Sequence, residues 1–338
     1  MRNSGLPRSA IVGAGVMGRW HADTVSRLGA CVSGVIDPDA SRAEDIARRY
    51  AGCRVFDDID AAIDAVDVFH ICTPTVSHVD LATRAIAAGR HVLVEKPLAE
   101  TAAETVRLFD LALTRRVLLC PVHQFVFQRG VQRALALVPE IGPLRDVQMT
   151  FCSAGAQGEP DAIQDAIALE ILPHPLSVLV RLLPTDLSGI EWSVIRPDAG
   201  ELRLWTVVGH VPVSIRVSMH ARPTTSNVIV SGERGTVLAD LFHGFSVRQP
   251  GRVSRRRKIV QPFQYALTLF GTATVNLARR AARREPAYPG LRELIRRMYA
   301  ATAGTQPAPI SRAEAVAVAV ASDSIAAALQ RSSRAPTH

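Results

Sequence analysis

The sequence predicts an α/β protein in two parts. A parallel sheet covered by helices on both faces occupies 1–121, and an α/β domain with a mostly antiparallel open sheet occupies 122–338. Three observations carry this reading. Short apolar runs alternate with stretches of helical period through the first third. A glycine array stands between the first run and the first helix. Beyond Pro121, strand-like runs follow one another without intervening helices, as in an antiparallel sheet.

The elements follow in order. Strands are expected at Ala10–Val12, Cys31–Ile36, Val66–Cys72, His91–Val94 and Val117–Cys120. Helices are expected over Gly15–Leu28, Asp39–Tyr50, His78–Ala88 and Ala102–Thr114, with Gly89 just past the third as a left-handed stop. A helix over Arg129–Val138 and a Gly142-Pro143 turn open the second part. Strands then fall at Arg145–Cys152, Gly189–Ile195, Leu202–Val208, Val213–His220, Asn227–Ser231 and Thr236–Asp240, and a helix-rich tail runs from Leu291 to Leu329.

At 338 residues the chain can bury two cores, and 48% hydrophobic with 21% charged residues is ordinary for a soluble protein. No uninterrupted apolar run of 18 residues predicts a spanning helix, and the first strand comes too early for a secretory leader. A cytoplasmic location is the expectation. Five dispersed cysteines without a Cys-x-x-Cys pair read as small buried hydrophobes. The net charge of +8 is uneven, since 252–284 holds nine basic residues and no acid. Such a segment could attract a phosphorylated substrate, an acidic carrier protein or an anionic membrane. The favoured reading is a solvated arginine-rich loop and helix face. No binding module or aromatic pattern points to nucleic acid.

"AIVGAGVMGRW" sets Gly13, Gly15 and Gly18 as Gly-x-Gly-x-x-Gly directly after a strand, with Val16 and Met17 opening the helix. Gly13 permits the turn, Gly15 the approach of a pyrophosphate, and Gly18 the packing of helix on strand. The helix N-terminus adds N–H groups and positive dipole. The first domain is therefore read as a Rossmann dinucleotide-binding domain. Asp37, 24 residues after Gly13, can accept from ribose hydroxyls and would repel a 2′-phosphate, which favours NAD. Arg42 could instead meet that phosphate, so NADP stays open. The other reading of Asp37 is a helix cap in "DPDASR".

In "VFHICTPTVSHVDLATRAIAAGRHVLVEKPLAET", Thr73, Pro74, His78, Glu95 and Lys96 stand at the carboxyl ends of parallel strands, the edge where open α/β sheets bind ligands. Pro97 bars Lys96 from helical geometry and opens the way to a cis bond. With the glycine array, these motifs resemble the Gfo/Idh/MocA family of oxidoreductases, almost completely over the first domain and more loosely over the second. The resemblance implies an NAD(P)-dependent dehydrogenase or reductase acting on a hydroxyl, keto or imine carbon of a small molecule. It implies that Lys96 is catalytic or orients substrate, and that Glu95, Thr73, Pro74 and His78 line the cofactor. The family's acid/base histidine falls at His174 in "LEILPHPLSVL", with Glu170 where an Asp is frequent, Leu172 for Gly and Ser177 for a second Asp. Glu170 and His174 lack a third metal ligand, so no metal is expected. In "PVHQFVFQRG", His123 and Gln124 are candidate pocket residues in place of the family's Asn/Arg-rich segment. Reduced sugar-like polarity there hints at a more apolar or unusual substrate, such as a secondary-metabolite intermediate. The resemblance also implies a homodimer or homotetramer through the second sheet. Two rival readings are a redox-assisted lyase or hydrolase with tightly held NAD, and a non-catalytic nucleotide-binding scaffold.

Overall fold

The computed structural model describes residues 6–183, 187, 189–251, 254–285 and 288–334. The chain forms two compact units. One comprises the chain up to His123 together with Leu291–Ala319; the other comprises Gln124–Gly290 with the chain from Val320 onward. The break lies close to the expected residue 121, but the expected second domain, 122–338, differs from the observed unit. Its segment Leu291–Ala319 belongs with the first unit, where Leu294, Ile295, Met298 and Tyr299 are buried. Periodicity shows that a helix buries one face; it does not say against which core.

In the first unit, β1 (Arg8–Val12), α1 (Val16–Arg27), β2 (Cys31–Ile36), α2 (Ala40–Ala47), β3 (Arg54–Phe56), α3 (Ile59–Ala62), β4 (Val68–Ile71), α4 (His78–Ala87), β5 (His91–Val94), α5 (Ala102–Arg115) and β6 (Leu119–Pro121) follow in order. The sheet order is β3-β2-β1-β4-β5-β6, with every pairing parallel. All four residues of β4 are buried, which a parallel sheet covered on both faces requires. Local chemistry starts and stops the helices. Asp39 caps α2, and Thr101 with Glu104 forms a capping box on α5. Gly29 and Gly89 (φ +81° and +75°) take the left-handed turns after α1 and α4.

The second unit holds α6 (Arg129–Leu137), β7 (Leu144–Cys152), α7 (Asp161–Ile171), α8 (Pro173–Leu182), β8 (Ser193–Ile195), β9 (Glu201–Val208), β10 (Val211–Ser218), β11 (Thr225–Gly232), β12 (Gly235–Asp240), β13 (Phe245–Pro250) and α9 (Arg255–Ala282). Its sheet runs β13-β12-β11-β7-β10-β9-β8, antiparallel except where β10 meets β7. Burial alternates along β9 and β10, so one face carries the core. Then come α10 (Pro289–Thr302) and α11 (Arg312–Arg334).

Two expectations change, and two long apolar helices bear on a third. Only Cys120 and Cys152 are buried; Cys31 is exposed, and Cys53 and Cys72 are half-buried, each a free thiol. Among the described residues, Asp161–Leu182 and Arg312–Arg331 are long and apolar enough to cross a membrane by length and composition, because their few polar residues are dispersed. The first is split between α7 and α8 and buries Leu172, Leu176 and Leu179 inside the protein; the second buries Ala321 and Ile325. Finally, most of the basic segment is one continuous helix, α9. Arg252 and the side chains of Arg255, Arg256, Arg257 and Lys258 lie outside the described residues.

Candidate functional site

The carboxyl edge of the first sheet is stitched together by backbone bonds just beyond the strands. Gly13 N donates to Ile36 O (2.8 Å), Cys72 N to Val12 O (2.7 Å), Glu95 N to Ile71 O (2.9 Å) and Val122 N to Val94 O (2.8 Å). The loops after β1, β4 and β5 therefore leave side by side, at steps of about 4.8 Å. The three glycines differ in what forbids a side chain. At Gly13 (φ +95°) a Cβ would stand 2.8 Å from Cys72 O, and at Gly18 it would stand 1.9 Å from Gly13 O. At Gly15 it would meet nothing within 4 Å. Gly15 is the N-cap of α1 and supplies no side-chain cap, and the first turn holds no acid. Val16 is 68% exposed and Met17 half-buried. An open place over a helix N-terminus without a side-chain cap fits a pyrophosphate.

Asp37 has two bonds at the end of β2. Oδ2 accepts from Ala14 N of the glycine loop (2.6 Å), and Oδ1 accepts from Asp39 N (2.9 Å). Each oxygen keeps a further lone pair for a ribose hydroxyl. The helix cap in "DPDASR" is Asp39, whose side chain accepts from Arg42 N. Arg42 Nε lies 3.1 Å from Asp39 Oδ2, so the cation that could meet a 2′-phosphate already has a carboxylate partner.

His78 joins the loops after β4 and β5. Its Nε2 lies 2.8 Å from Thr73 O and its Nδ1 2.8 Å from Pro97 O, with the ring 1% exposed. Thr73 Oγ1 accepts from Ser77 Oγ (2.7 Å), and Pro74 is exposed at the bend. His78 thus braces backbone at both turns, and its ring nitrogens face protein carbonyls. The Lys96–Pro97 bond is cis, and the Lys96 side chain is half-buried.

Glu95 turns inward. Expected to line the cofactor, it is 6% exposed; Oε2 accepts from Lys96 N (3.2 Å), and Oε1 lies 3.1 Å from His21 Nε2. From there a buried chain continues: His21 Nδ1 to His70 Nδ1 (2.9 Å), His70 Nε2 to the Tyr299 hydroxyl (2.9 Å), and that hydroxyl to Ser9 Oγ (2.6 Å). His21, His70 and Ser9 are 0% exposed. One assignment satisfies each link: Ser9 donates to Tyr299, Tyr299 to His70, His70 to His21, and His21 to the Glu95 carboxylate. Burial, with His21 adding to it, holds the His70 imidazole well below its ordinary range. Burial also pushes the Tyr299 phenol up, and burial with the Glu95 charge pushes up the Cys72 thiol. Sequence reading missed this chain; its visible signal was His70 in the middle of a wholly apolar strand.

In the second unit, His174 opens α8. Its ring is half-buried and stacks on Phe125 (centroids 4.2 Å apart, planes 12° apart), which in turn stacks on Phe151. Its carbonyl accepts from Ser177 Oγ (2.9 Å), so the residue replacing the second Asp of the pattern braces the turn that carries the histidine. Glu170 is exposed in the last turn of α7. Gln124 is 4% exposed with Oε1 buried and lacking a hydrogen-bond partner among the described residues. His123, 4% exposed, ends the chain's first pass through the other unit.

Comparison with known proteins agrees with this edge. Residues 8–123 match a family model described as an oxidoreductase family with an NAD-binding Rossmann fold. The chain is 26% identical over 298 residues to UDP-N-acetylglucosamine 3-dehydrogenase of Acidithiobacillus ferrooxidans, covering 85% of this chain and 81% of that one. It is 40% identical over 192 residues to inositol 2-dehydrogenase of Leifsonia xyli subsp. xyli, covering 54% of this chain and 56% of the relative. Among solved structures, the fold is shared with a dehydrogenase from Bordetella pertussis in complex with NADH and UDP-GlcNAcA (TM-score 0.75, 16% identity, 96% of each chain). The motifs on the sheet edge and these likenesses meet in one conclusion: residues 8–123 form the NAD-binding Rossmann domain of the Gfo/Idh/MocA oxidoreductase family, and the chain is an NAD(P)-dependent dehydrogenase or reductase.

Proposed function

We propose that this enzyme moves a hydride between the nicotinamide and a hydroxyl- or keto-bearing carbon of a sugar derivative, with nucleotide sugars as the first class to test. The observation that carries it is the carboxyl edge of β1, β4 and β5, where an open helix end stands in the same row as Lys96. The class is suggested by the relatives, which include a UDP-N-acetylglucosamine dehydrogenase and inositol dehydrogenases. A bound nicotinamide would supply the hydride acceptor or donor. Lys96 donates to the substrate oxygen and steadies its negative charge. His174 removes or returns the hydroxyl proton, its ring plane fixed by Phe125. Gln124, with an orphaned buried oxygen, is a candidate donor-reader beside His123. Asp37 favours NAD over NADP. Exposed Ile195, Trp205 and Val207 on β8 and β9 support self-association through the second sheet. The reading places the enzyme in the cytoplasm with its dinucleotide.

The test is turnover of UDP-sugars, inositols and simple aldoses with NAD⁺, followed by nicotinamide absorbance. Lys96→Ala and His174→Ala should each lower kcat by roughly 100-fold or more while dinucleotide Kd stays within severalfold. Full activity in His174→Ala removes the histidine from the mechanism. Nucleotide retained through turnover without net reduction supports the lyase reading instead.

A further inference from the structure

The helix α9 (Arg255–Ala282) shows two faces. Asn276 Nδ2 and Arg280 Nη1 donate to His243 O (2.8 and 3.0 Å), which holds the helix to its own unit. Elsewhere on its surface, large apolar side chains stand in solvent: Ile259 (73% exposed), Phe263 (74%), Leu267 (72%), Phe270 (71%) and Leu277 (69%). Their spacings of four, four, three and seven residues put them in one stripe, within about 80° of arc at 100° per residue. Soluble proteins rarely leave such a continuous stripe open unless it meets a partner.

Charge narrows the choice of partner. The sequence begins the helix with Arg255, Arg256, Arg257 and Lys258, ends it with Arg279 and Arg280, and follows it with Arg283 and Arg284. No Asp or Glu occurs between 252 and 284. A second copy docking stripe to stripe would bring together two sets of like charges with no acid on either helix to offset them. A nucleic-acid backbone would use the charge but leave the stripe wet. The helix is not among the described stretches apolar enough to cross a bilayer. Basic ends, a long apolar stripe and moderate hydropathy are what a helix lying in a lipid interface requires.

We propose that α9 is a membrane-surface helix, which seats its Ile259–Leu277 stripe at the headgroup boundary of an anionic bilayer. The cytoplasmic leaflet carries negative lipid, and each basic residue near it adds to the attraction. The inference stands apart from the chemistry at Lys96 and His174 and survives if that reading fails.

The full chain is sedimented with vesicles of phosphatidylcholine alone, and with vesicles of phosphatidylcholine and phosphatidylglycerol in equal parts. Binding to the mixed vesicles should exceed binding to the neutral ones by about tenfold or more, and should weaken in high salt. Replacing Phe263, Leu267 and Phe270 together by Ser should cut binding by at least about tenfold, with dinucleotide affinity and thermal unfolding unchanged. Phe263→Trp should gain a blue-shifted emission on mixed vesicles that the parent lacks. Absence of binding to mixed vesicles overturns the proposal. So does binding that the triple variant leaves intact, which would mark a plain electrostatic patch. A parent oligomer that the triple variant dissolves overturns it too, since the stripe is then an interface between copies.

Discussion

Acidification should destabilise the first unit through His70. The residue is wholly buried between His21 and Tyr299, and its imidazole is held well below the ordinary value of 6.5. In the unfolded chain residue 70 takes up a proton as the pH falls through about 6.5, whereas in the folded chain it stays neutral. Acid therefore favours the unfolded state, and stability from this group is full above that pH and lost below it. At about pH 5.5 the loss is about 1.4 kcal/mol, one pH unit's worth of proton binding. His91, also lowered by burial, adds a loss of the same sign. Carboxylates enter further down; Glu293, held at about 2 by Arg296 and Arg297, contributes below its ordinary 4.5. The His70 share is isolated by comparison with His70→Gln, which cannot titrate. Urea unfolding is followed with Trp192→Phe and Trp205→Phe in the background, leaving Trp20 to report on the first unit. Between about pH 7.5 and 5.5 the parent should lose about 1.4 kcal/mol more than His70→Gln, at constant m. Parallel losses would refute the reasoning, because residue 70 would then have the same protonation folded and unfolded.

The glycines separate folding from binding. Gly18→Ala puts a carbon 1.9 Å from Gly13 O and should cost roughly 3 kcal/mol or more, read by thermal or urea unfolding. Gly15→Ala meets open space, so stability should hold within about 1 kcal/mol while dinucleotide Kd weakens by about tenfold or more in a fluorescence titration. Asp37→Ala should weaken NADH binding by about tenfold and NADPH binding by less, reversing or narrowing the preference in a direct titration of both. Equal losses for the two cofactors would assign Asp37 to the Ala14 loop bond alone.

What the sequence disclosed was what it encodes locally. Gly13, Gly15 and Gly18 declare themselves because a turn, an approach and a packing contact all act within one strand and one helix. The Glu95-Lys96-Pro97 break was legible for the same reason: an apolar strand ends abruptly on charge. Its outcome was half hidden, since Glu95 points inward to His21 rather than outward. That partner lies 74 residues away, and Tyr299 lies 229 residues beyond His70, so neither leaves a mark in a local window. Two short edge elements escaped notice: β3 is only three residues long with one buried, and β13 carries polar residues among its buried and half-exposed positions. In α9 the stripe was present in the spacing, but Pro262 and the clustered arginines disguised a single helix as loop and helix. His174 was located by pattern, yet its stacking on Phe125 depends on a turn some 49 residues upstream.

The discontinuity of the first unit sets the order in which the protein can mature. The ribosome finishes the parallel sheet with β6, then makes the whole second sheet before it reaches α10. At roughly 5–20 residues per second, the 176 residues from His123 to Tyr299 take on the order of ten seconds or more. Through that interval Ser9 and His70 are both present and the hydroxyl that joins them is not. The nascent nucleotide-binding sheet must wait with a polar seam that only the late helix closes. A nascent chain arrested before residue 291 should therefore be more open to protease around β1 and β4 than the finished enzyme, and its vulnerability should end when Tyr299 emerges.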